Sequence, residues 1–287
     1  MNERAFPPAR KVPPSTALLL AFLSRGPFPD AWALRGSVVT RSHHARGRDP
    51  VDLDYVVTRP AWDSSAVVAE VESVLARPSA DDQVHFFEAR SVPIWEETAF
   101  PGVRVYVEAT CAGVRDELQI DFGWGDPIVT PFDAIVFHGV GPLRAVSRET
   151  SVAWKIHGLV EWGRGRWRPK DLHDLDVLFD APLDQRATRA ALDVAFSSRG
   201  TPLAELGELL FRPAWGESPG RRKTWKKAAA TLGPTADFTR ARARVVAFLE
   251  TLGLRRELAA HEDSFRSLDE ARMLLRESAR GRTSSRE

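Results

Sequence analysis

Three aspartates in the first half of the chain have the type and spacing that metal-dependent phosphoryl chemistry needs. Asp52 and Asp54 lie two residues apart in an alternating run, residues 51–57, that predicts a β-strand. Residues two apart on a strand point to the same face, so both carboxylates can reach one divalent ion. Asp121 lies in a second alternating run, on the side opposite Ile120 and Phe122. We therefore expect three carboxylates on one face of a sheet.

Such a group of carboxylates predicts a cation and a reaction class. The three like charges would repel one another unless cations neutralise them, and Mg²⁺ is the hard ion that binds one or two carboxylates together with substrate phosphates. Two such ions would stabilise the attacking and leaving oxygens of a displacement at phosphorus. Gly36 and Ser37 supply a turn whose backbone N–H groups can approach a triphosphate. An Asp-x-Asp strand alone is weak support, because exposed strand faces often carry acids.

The secondary-structure pattern divides the chain in two. Up to about residue 145 the pattern alternates between strands and helices, with strands predicted over 32–39, 51–57, 103–109 and 118–122 and helices over about 15–25 and 64–76. Residues 40–48 are predicted to form a polar basic loop. From Ser147 the periodicity is helical to about residue 278. We expect an α+β fold: a mixed-sheet core (1–145), a helical domain (146–278) and a disordered arginine-rich tail (279–287).

Composition excludes several other classes of protein. The chain has 287 residues, 43% hydrophobic and 28% charged, which suits two globular domains. A single cysteine, Cys111, excludes a disulfide framework and a cysteine-rich zinc site. The apolar run at residues 17–23 is shorter than a membrane span requires, and the prolines before it do not suit a signal peptide. The expectation is a cytoplasmic protein with no membrane contact.

The charge is distributed unevenly. Residues 201–287 contain 17 Lys or Arg and 12 Asp or Glu, a balance of +5, whereas the whole chain is +1. Five cations surround Trp225 between residues 221 and 227, which suits an anionic partner such as RNA. The alternative is that Trp225 packs into the helical core and the cations are a solvated surface.

Five sequence motifs follow one another over roughly residues 33–180. They are Leu34-Arg-Gly-Ser-Val38, Arg48-Asp-Pro-Val-Asp-Leu-Asp54, Gln119-Ile-Asp-Phe-Gly-Trp-Gly-Asp-Pro127, Ala153-Trp-Lys-Ile-His157 and Arg168-Pro-Lys-Asp-Leu-His-Asp-Leu175. In this order they resemble the AbiEii/AbiGii-type nucleotidyltransferase toxins, a group within the DNA-polymerase-β-like nucleotidyltransferase superfamily. Pro50 stands where serine is common in the family. The resemblance implies that the helical domain completes the nucleotide cleft.

The resemblance implies roles for individual residues. Asp52 and Asp54 would hold both metals, and Asp121 would bind the catalytic metal and help to deprotonate the acceptor hydroxyl. Gly36 and Ser37 would hold the phosphates. Lys155 would bind the triphosphate, Asp171 would take part in catalysis, and Arg48 and Asp174 would contribute to nucleotide binding.

The residues alone leave alternatives for the last group. A helical lysine beside an apolar stripe is usually a surface residue, so Lys155 could be solvated. Asp171 could simply favour a helix N-terminus and Asp174 could be solvated. The basic loop with His43, His44 and Arg46 could likewise be solvated rather than a phosphate contact.

The function implied is that of a toxin of a toxin–antitoxin or phage-defence pair. It would transfer a nucleoside monophosphate from an NTP to an RNA, such as a tRNA end, with two Mg²⁺ ions and with a cognate antitoxin protein as partner. A same-fold enzyme with a small-molecule or protein acceptor, and a catalytically silent binding module, are the alternatives.

Overall fold

A computed structural model describes residues 14–59, 63–78, 83–161, 168–233, 235–263, 266 and 267. The fold is α+β, as predicted from the sequence. The chain forms two compact units, and the second includes two short segments from the first half of the chain. The predicted tail, residues 279–287, and the N-terminal prolines before residue 14 lie outside the described residues. The first unit comprises Met1–Val38, Asp49–Gly125 and Ala134–Ala145, and the second comprises Val39–Arg48, Asp126–Asp133 and Val146–Glu287.

A mixed seven-stranded sheet is the centre of the first unit. Its strand order is β3-β4-β5-β2-β1-β7-β6. The pairs β1/β2, β3/β4 and β4/β5 are antiparallel, and the pairs β2/β5 and β1/β7 are parallel. The strands are β1 (Trp32–Arg35), β2 (Leu53–Val57), β3 (Val84–Ile94), β4 (Gly102–Cys111), β5 (Val114–Trp124), β6 (Asp133–Phe137) and β7 (Val140–Ala145).

One face of this sheet carries an aromatic core. The rings of Trp32, Tyr55 and Phe122, from three neighbouring strands, contact one another with centroids 4.6–5.3 Å apart. Helix α1 (Pro14–Leu23) packs against β4 and β5 and brings Phe22 to this cluster through Phe28. The predicted apolar face of α1 is fully buried. Because strand residues alternate, the odd-numbered residues of β5, including Asp121, point to the opposite face.

Helix α3 (Ser64–Leu75) forms as its apolar spacing predicts. Asp63 caps its N-terminus by accepting a hydrogen bond from the backbone N–H of Ala66. Val67, Val71 and Val74 are buried in the sheet-facing stripe. Val68, predicted to point inward with them, is only half-buried.

Several predicted boundaries were wrong. Strand β1 ends at Arg35, and residues 37–43, expected to continue the strand and then form a loop, are helix α2 (Ser37–His43). Gly36 has φ +75°, which turns the chain out of the strand. Strand β2 begins at Leu53, so Asp52 precedes it. Strands β3, β6 and β7 were not predicted.

The second unit is helical. Its core is a cluster of buried side chains that includes Val152, Ile156, Leu172 and Leu175. Aspartate or serine side chains cap three of its helices, at Asp184, Ser218 and Asp237. The helices are α4 (Arg148–Glu161), α5 (Pro169–Leu178), α6 (Gln185–Ser197), α7 (Gly207–Leu210), α8 (Pro219–Leu232), α9 (Phe238–Thr251) and α10 (Leu254–Glu257).

Candidate active site

The sheet of the first unit places four charged residues in one row across four neighbouring strands. Arg35 of β1 is in register with Asp54 of β2, and Asp54 is in register with Asp121 of β5. Asp121 is in turn in register with Arg104 of β4. Partners in register point to the same sheet face, so the row presents two adjacent carboxylates between two guanidinium groups. We call these four residues the acid row.

Asp121 is held by a two-point ion pair within the acid row. Arg104 donates from Nε to Asp121 Oδ1 at 2.7 Å and from Nη2 to Oδ2 at 2.8 Å, and Gln119 Nε2 is 3.3 Å from Oδ1. The Asp121 carboxylate raises the pKa of Arg104. Two parallel charged hydrogen bonds fix the orientation of the carboxylate.

Gly36 gives the Asp54 carboxylate its space. A Cβ at residue 36 would collide with Asp54 Oδ2, and the positive φ also disfavours any other residue. The neighbouring Ser37 is completely buried, and its Oγ has no hydrogen-bond partner among the described residues. Its contact with a phosphate stays a prediction.

The acid row brings together two of the three predicted metal ligands. Asp52 lies outside the paired register of β2 and β5 and is half-buried. Within the described part of the chain, no group of three or more His, Cys, Asp or Glu side chains is placed to hold one metal ion. Asp54 and Asp121 are hard oxygen donors in adjacent register, which fits Mg²⁺ bound by two carboxylates and substrate phosphates. The three-carboxylate group stays a prediction.

In the second unit, Lys155 lies at the centre of a buried group of charges. Lys155 Nζ is 2.7 Å from Asp174 Oδ2 and 3.7 Å from Asp171 Oδ1. Arg48 Nε is 3.4 Å from the same Asp174 oxygen, and Arg168 Nε is 3.1 Å from Asp171 Oδ2. We call these five residues the Lys155 cluster. Lys155 is 8% exposed and Asp174 is 0% exposed, so the solvated alternatives for both were wrong.

The cations of this cluster keep Asp174 ionised. Burial by itself would raise the pKa of Asp174, but Lys155 and Arg48 outweigh it, and the net pKa is lowered. The adjacent His173 is 1% exposed, and burial lowers its pKa, which favours a neutral ring. The Lys155 cluster therefore holds a charged carboxylate in a buried setting.

The family model that describes the nucleotidyl transferase AbiEii toxin of a type IV toxin–antitoxin system matches residues 17–247. The chain belongs to the AbiEii family. This AbiEii protein is consequently a nucleotidyltransferase, and nucleotidyltransferases of this family generally use an NTP and divalent metals.

Two solved structures share the fold of this AbiEii protein. One is JHP933 from Helicobacter pylori, with 15% identity and a TM-score of 0.50, and the other is a H. pylori protein named as a candidate nucleotidyltransferase, with 14% identity and a TM-score of 0.51. Each match covers 88% of this chain and 96% of the other. Among curated proteins, none matches this sequence.

The sequence patterns did not predict a second ion-pair hub of the AbiEii protein. Asp176, which is 1% exposed, accepts from Arg240 at 2.7 Å and from Arg244 at 2.9 Å, and lies 3.4 Å from Arg46. Asp180 pairs with Arg46 and Arg244. The sequence signal for Asp176 is its position between two apolar residues, Leu175 and Val177, and the structure buries all three. The predicted basic loop is thus tied to α5 by Arg46 rather than solvated.

Three histidines of the protein lie close to polar side chains of the same unit. His157 is 2% exposed, its Nε2 is 2.9 Å from Thr201 Oγ1, and burial followed by the charge of Arg199 lowers its pKa to about 4. His43 lies in α2, 3.9 Å from Asp133, and His44 is 3.3 Å from Asp180.

No helix in the described ranges is both long and apolar enough to cross a membrane.

Proposed function

We propose that this AbiEii-family protein transfers a nucleoside monophosphate from an NTP to an RNA hydroxyl, such as a tRNA end, with the help of Mg²⁺. The observation that supports this most is the adjacency of Asp54 and Asp121 across the parallel pair β2/β5. Two carboxylates on neighbouring strands provide hard oxygen ligands for Mg²⁺, and the phosphate oxygens of an NTP can supply further ligands to the same ion. Bound metal ions would supply electrostatic stabilisation of the attacking and leaving oxygens.

In this proposal Asp54 and Asp121 hold the metal, with Asp52 as a further ligand. Asp121 also helps to deprotonate the acceptor hydroxyl, whose oxygen attacks the α-phosphorus of the NTP while the bond to the β-phosphate breaks and pyrophosphate leaves. Arg104 donates to both oxygens of Asp121 and therefore competes with a metal ion for this carboxylate, so we propose that metal binding displaces at least one of the two hydrogen bonds. The released hydrogen bonds of Arg104 can then be made to a phosphate oxygen, which suits its planar fork of donors.

The remaining residues are proposed to bind the nucleotide. Gly36 and Ser37 hold phosphates next to the acid row, Gly36 by leaving room and Ser37 by its hydroxyl. Lys155 donates to the triphosphate, with Asp171 in a catalytic role and with Arg48 and Asp174 as nucleotide-binding residues. Since Lys155 already contacts Asp174, we propose that it keeps this ion pair and uses its other donors for phosphate.

Membership in a type IV toxin–antitoxin family implies a cognate antitoxin and a nucleotide substrate. We propose that the protein acts as the toxin of such a pair in the cytoplasm, with a role in defence against phage. The RNA acceptor is supported by the basic balance of residues 201–287.

The test is a transfer assay with purified protein. Total RNA is incubated with each of the four NTPs, labelled on the α-phosphate, with magnesium chloride or with EDTA. We expect label in a discrete RNA band with at least one NTP, and no label in EDTA. Label on protein or on a small molecule would show that the acceptor is not RNA. Label that persists in EDTA would refute metal dependence.

A further inference from the structure

Trp95, directly after β3, is an exposed aromatic residue in an unfavourable backbone conformation. The residue is 39% exposed, and its φ is +58°. Only a few per cent of non-glycine residues adopt this left-handed region, and a bulky residue there is strained. Such strain persists where the surroundings fix it, often at ligand-binding positions.

The ring is fixed by two glycines and an arginine. A Cβ at Gly102 would lie 2.7 Å from Trp95 Cε3, and a Cβ at Gly123 would lie 3.3 Å from Cζ3. The absence of side chains at both positions therefore allows one edge of the indole to rest on the backbone of β4 and β5. The Arg35 guanidinium lies 5.3 Å from the ring centroid, which adds a cation–π contact.

This ring is beside the acid row. Gly102 and Gly123 are in register with each other, and each lies two residues from its neighbour in the row, Arg104 and Asp121 respectively. Two residues along a strand correspond to about 6.6 Å, on the same sheet face. Arg35, which contacts the ring, is itself a member of the row. The exposed indole thus rests on backbone that lies about 6.6 Å along the sheet from Arg104 and Asp121 of the acid row.

We propose that the Trp95 ring, supported by Arg35, stacks on the base of a nucleotide whose phosphates bind at Asp54 and Asp121. This inference rests on the proposed function, because it takes the acid row as the phosphate and metal site. Every nucleobase offers a flat π-face, and stacking on a protein aromatic ring contributes roughly 1–3 kcal/mol per base. The base can be that of the donor NTP or that of the acceptor RNA end, and the experiment below separates the two.

The experiment compares wild type with three variants by calorimetric titration in magnesium chloride. Trp95→Asn removes the ring but suits the left-handed backbone, since asparagine tolerates it. Trp95→Phe keeps an aromatic face. Phe87→Ala is the matched control, because Phe87 is a 63% exposed aromatic residue of β3, the strand that Trp95 follows. The ligands are ATP, GTP, CTP and UTP, inorganic tripolyphosphate as a base-free probe, and a six-nucleotide oligoadenylate for the acceptor end.

We expect Trp95→Asn to weaken binding of the NTPs or of the oligonucleotide by roughly fivefold or more. Tripolyphosphate affinity should change by less than about twofold, because stacking involves no phosphate contact. Trp95→Phe should retain most of the affinity, and Phe87→Ala should match wild type. Weaker binding of the NTPs assigns the base to the donor, and weaker binding of the oligonucleotide assigns it to the acceptor.

Two outcomes would overturn the inference, and they are distinguishable. If Trp95→Asn, folded by circular dichroism, binds all the nucleotides like wild type, the stacking site is wrong and the proposed function stands. If wild type itself binds neither NTP nor tripolyphosphate in magnesium, the phosphate site at the acid row is wrong, and the stacking proposal fails with it.

Discussion

The acid row of the first unit and the Lys155 cluster of the second are made of the same kinds of side chain but differ in how their charges are neutralised. In the acid row, two carboxylates are direct neighbours, and Arg104, the partner of Asp121, is 29% exposed. In the Lys155 cluster, Asp174 is completely buried between two cations. Carboxylates side by side with partly exposed partners can exchange an arginine for a metal ion. A buried carboxylate that loses its partner is left as an uncompensated charge.

We therefore expect the aspartates of the acid row, whose partner is partly exposed, to serve metal binding, and the buried Asp174 to serve stability as well. Removing a charge from the acid row should cost activity, whereas removing a charge from the Lys155 cluster should also cost stability.

The largest effect is expected from Asp54→Asn, with Asp52→Ala as a second variant. Loss of a direct metal ligand should lower the transfer rate more than about a hundredfold, since even outer-shell partners of metal ligands cost roughly 10–100-fold. The melting temperature should hold or rise, because like-charge repulsion beside Asp121 is relieved. Initial transfer rates measure the loss of activity, and thermal melts measure the melting temperature. Glu117→Gln, on the same face of β5, should change neither, and wild-type rates in Asp54→Asn would remove Asp54 from the metal site.

Lys155→Met should unfold much more easily, because Arg48 at 3.4 Å is then the one cation that the described part of the chain places beside Asp174. We expect the free energy of unfolding to fall by about 3–5 kcal/mol. Lys155→Met/Asp174→Leu should recover most of this stability, because the completely buried Asp174 carboxylate is removed together with its partner. Arg189→Ala, which removes two exposed ion pairs, should cost less than about 1 kcal/mol. Denaturant titration of the four proteins measures these differences, and a Lys155→Met protein as stable as wild type would contradict the expectation.

The protein should lose stability as pH falls from about 6.5 towards 4 because of His157. The folded pKa is about 4 and the ordinary value is 6.5, so the unfolded chain binds the proton first within this window. Protonation of the unfolded state then lowers the free energy of unfolding by about 2–3 kcal/mol. Asp174 and Asp176, whose pKa values are lowered, lose their contribution only as pH falls below their ordinary value of 3.8.

The measurement is the free energy of unfolding at a series of pH values for wild type and His157→Gln. The variant should show a flatter dependence between pH 4 and 6.5. Equal slopes would show that the His157 ring is not the group that titrates.

Arg104→Gln should bind divalent ions more tightly than wild type, because the guanidinium no longer competes for Asp121. Asp121 is only 3% exposed, so without the guanidinium its buried charge is uncompensated and should attract a divalent ion; Mn²⁺ affinity should rise by at least roughly two- to fivefold. Paramagnetic resonance of free Mn²⁺ gives the affinity without an activity assay. The control is Arg90→Gln, which removes the Arg90–Glu117 ion pair and should leave the Mn²⁺ affinity unchanged. Weaker Mn²⁺ binding by Arg104→Gln would mean that Arg104 positions Asp121 for the ion.

The smallest expected effect is a change in the salt dependence of RNA binding. It concerns helix α8, whose exposed cations belong to the same unit as the Lys155 cluster. Trp225 packs edge-on against Phe238, as the core alternative predicted, while Lys223, Lys226 and Lys227 are exposed. If these lysines bind RNA phosphates, removing each one should lower the slope of log affinity against log salt by roughly 0.7–0.9. RNA affinity of Lys223→Ala/Lys226→Ala across a salt series measures this, with Arg186→Ala/Arg256→Ala as control. An unchanged slope would place the RNA elsewhere.

The candidate chemistry and several of the local elements could be predicted from short stretches of the sequence. The side-by-side placement of Asp52 and Asp54 and the apolar stripes of α1 and α3 follow from periods of two and 3.6 residues, which are visible within a short window. The turn at Gly36 follows from the residue type. The helix after Gly36 was missed, because Val38 and Val39 are compatible with a strand as well as with a buried helix face.

Which charges meet depends instead on the tertiary structure. The parallel pairing of β2 with β5 places Asp54 beside Asp121, and the register of β4 brings Arg104 to the same carboxylate. The contact of Trp95 with Arg35 and the burial of Lys155 against Asp174 depend in the same way on residues far apart in the chain. Local periodicity fixes the face on which a side chain lies, but a partner is set by the long-range register of strands and the packing of helices, which no short stretch of sequence encodes.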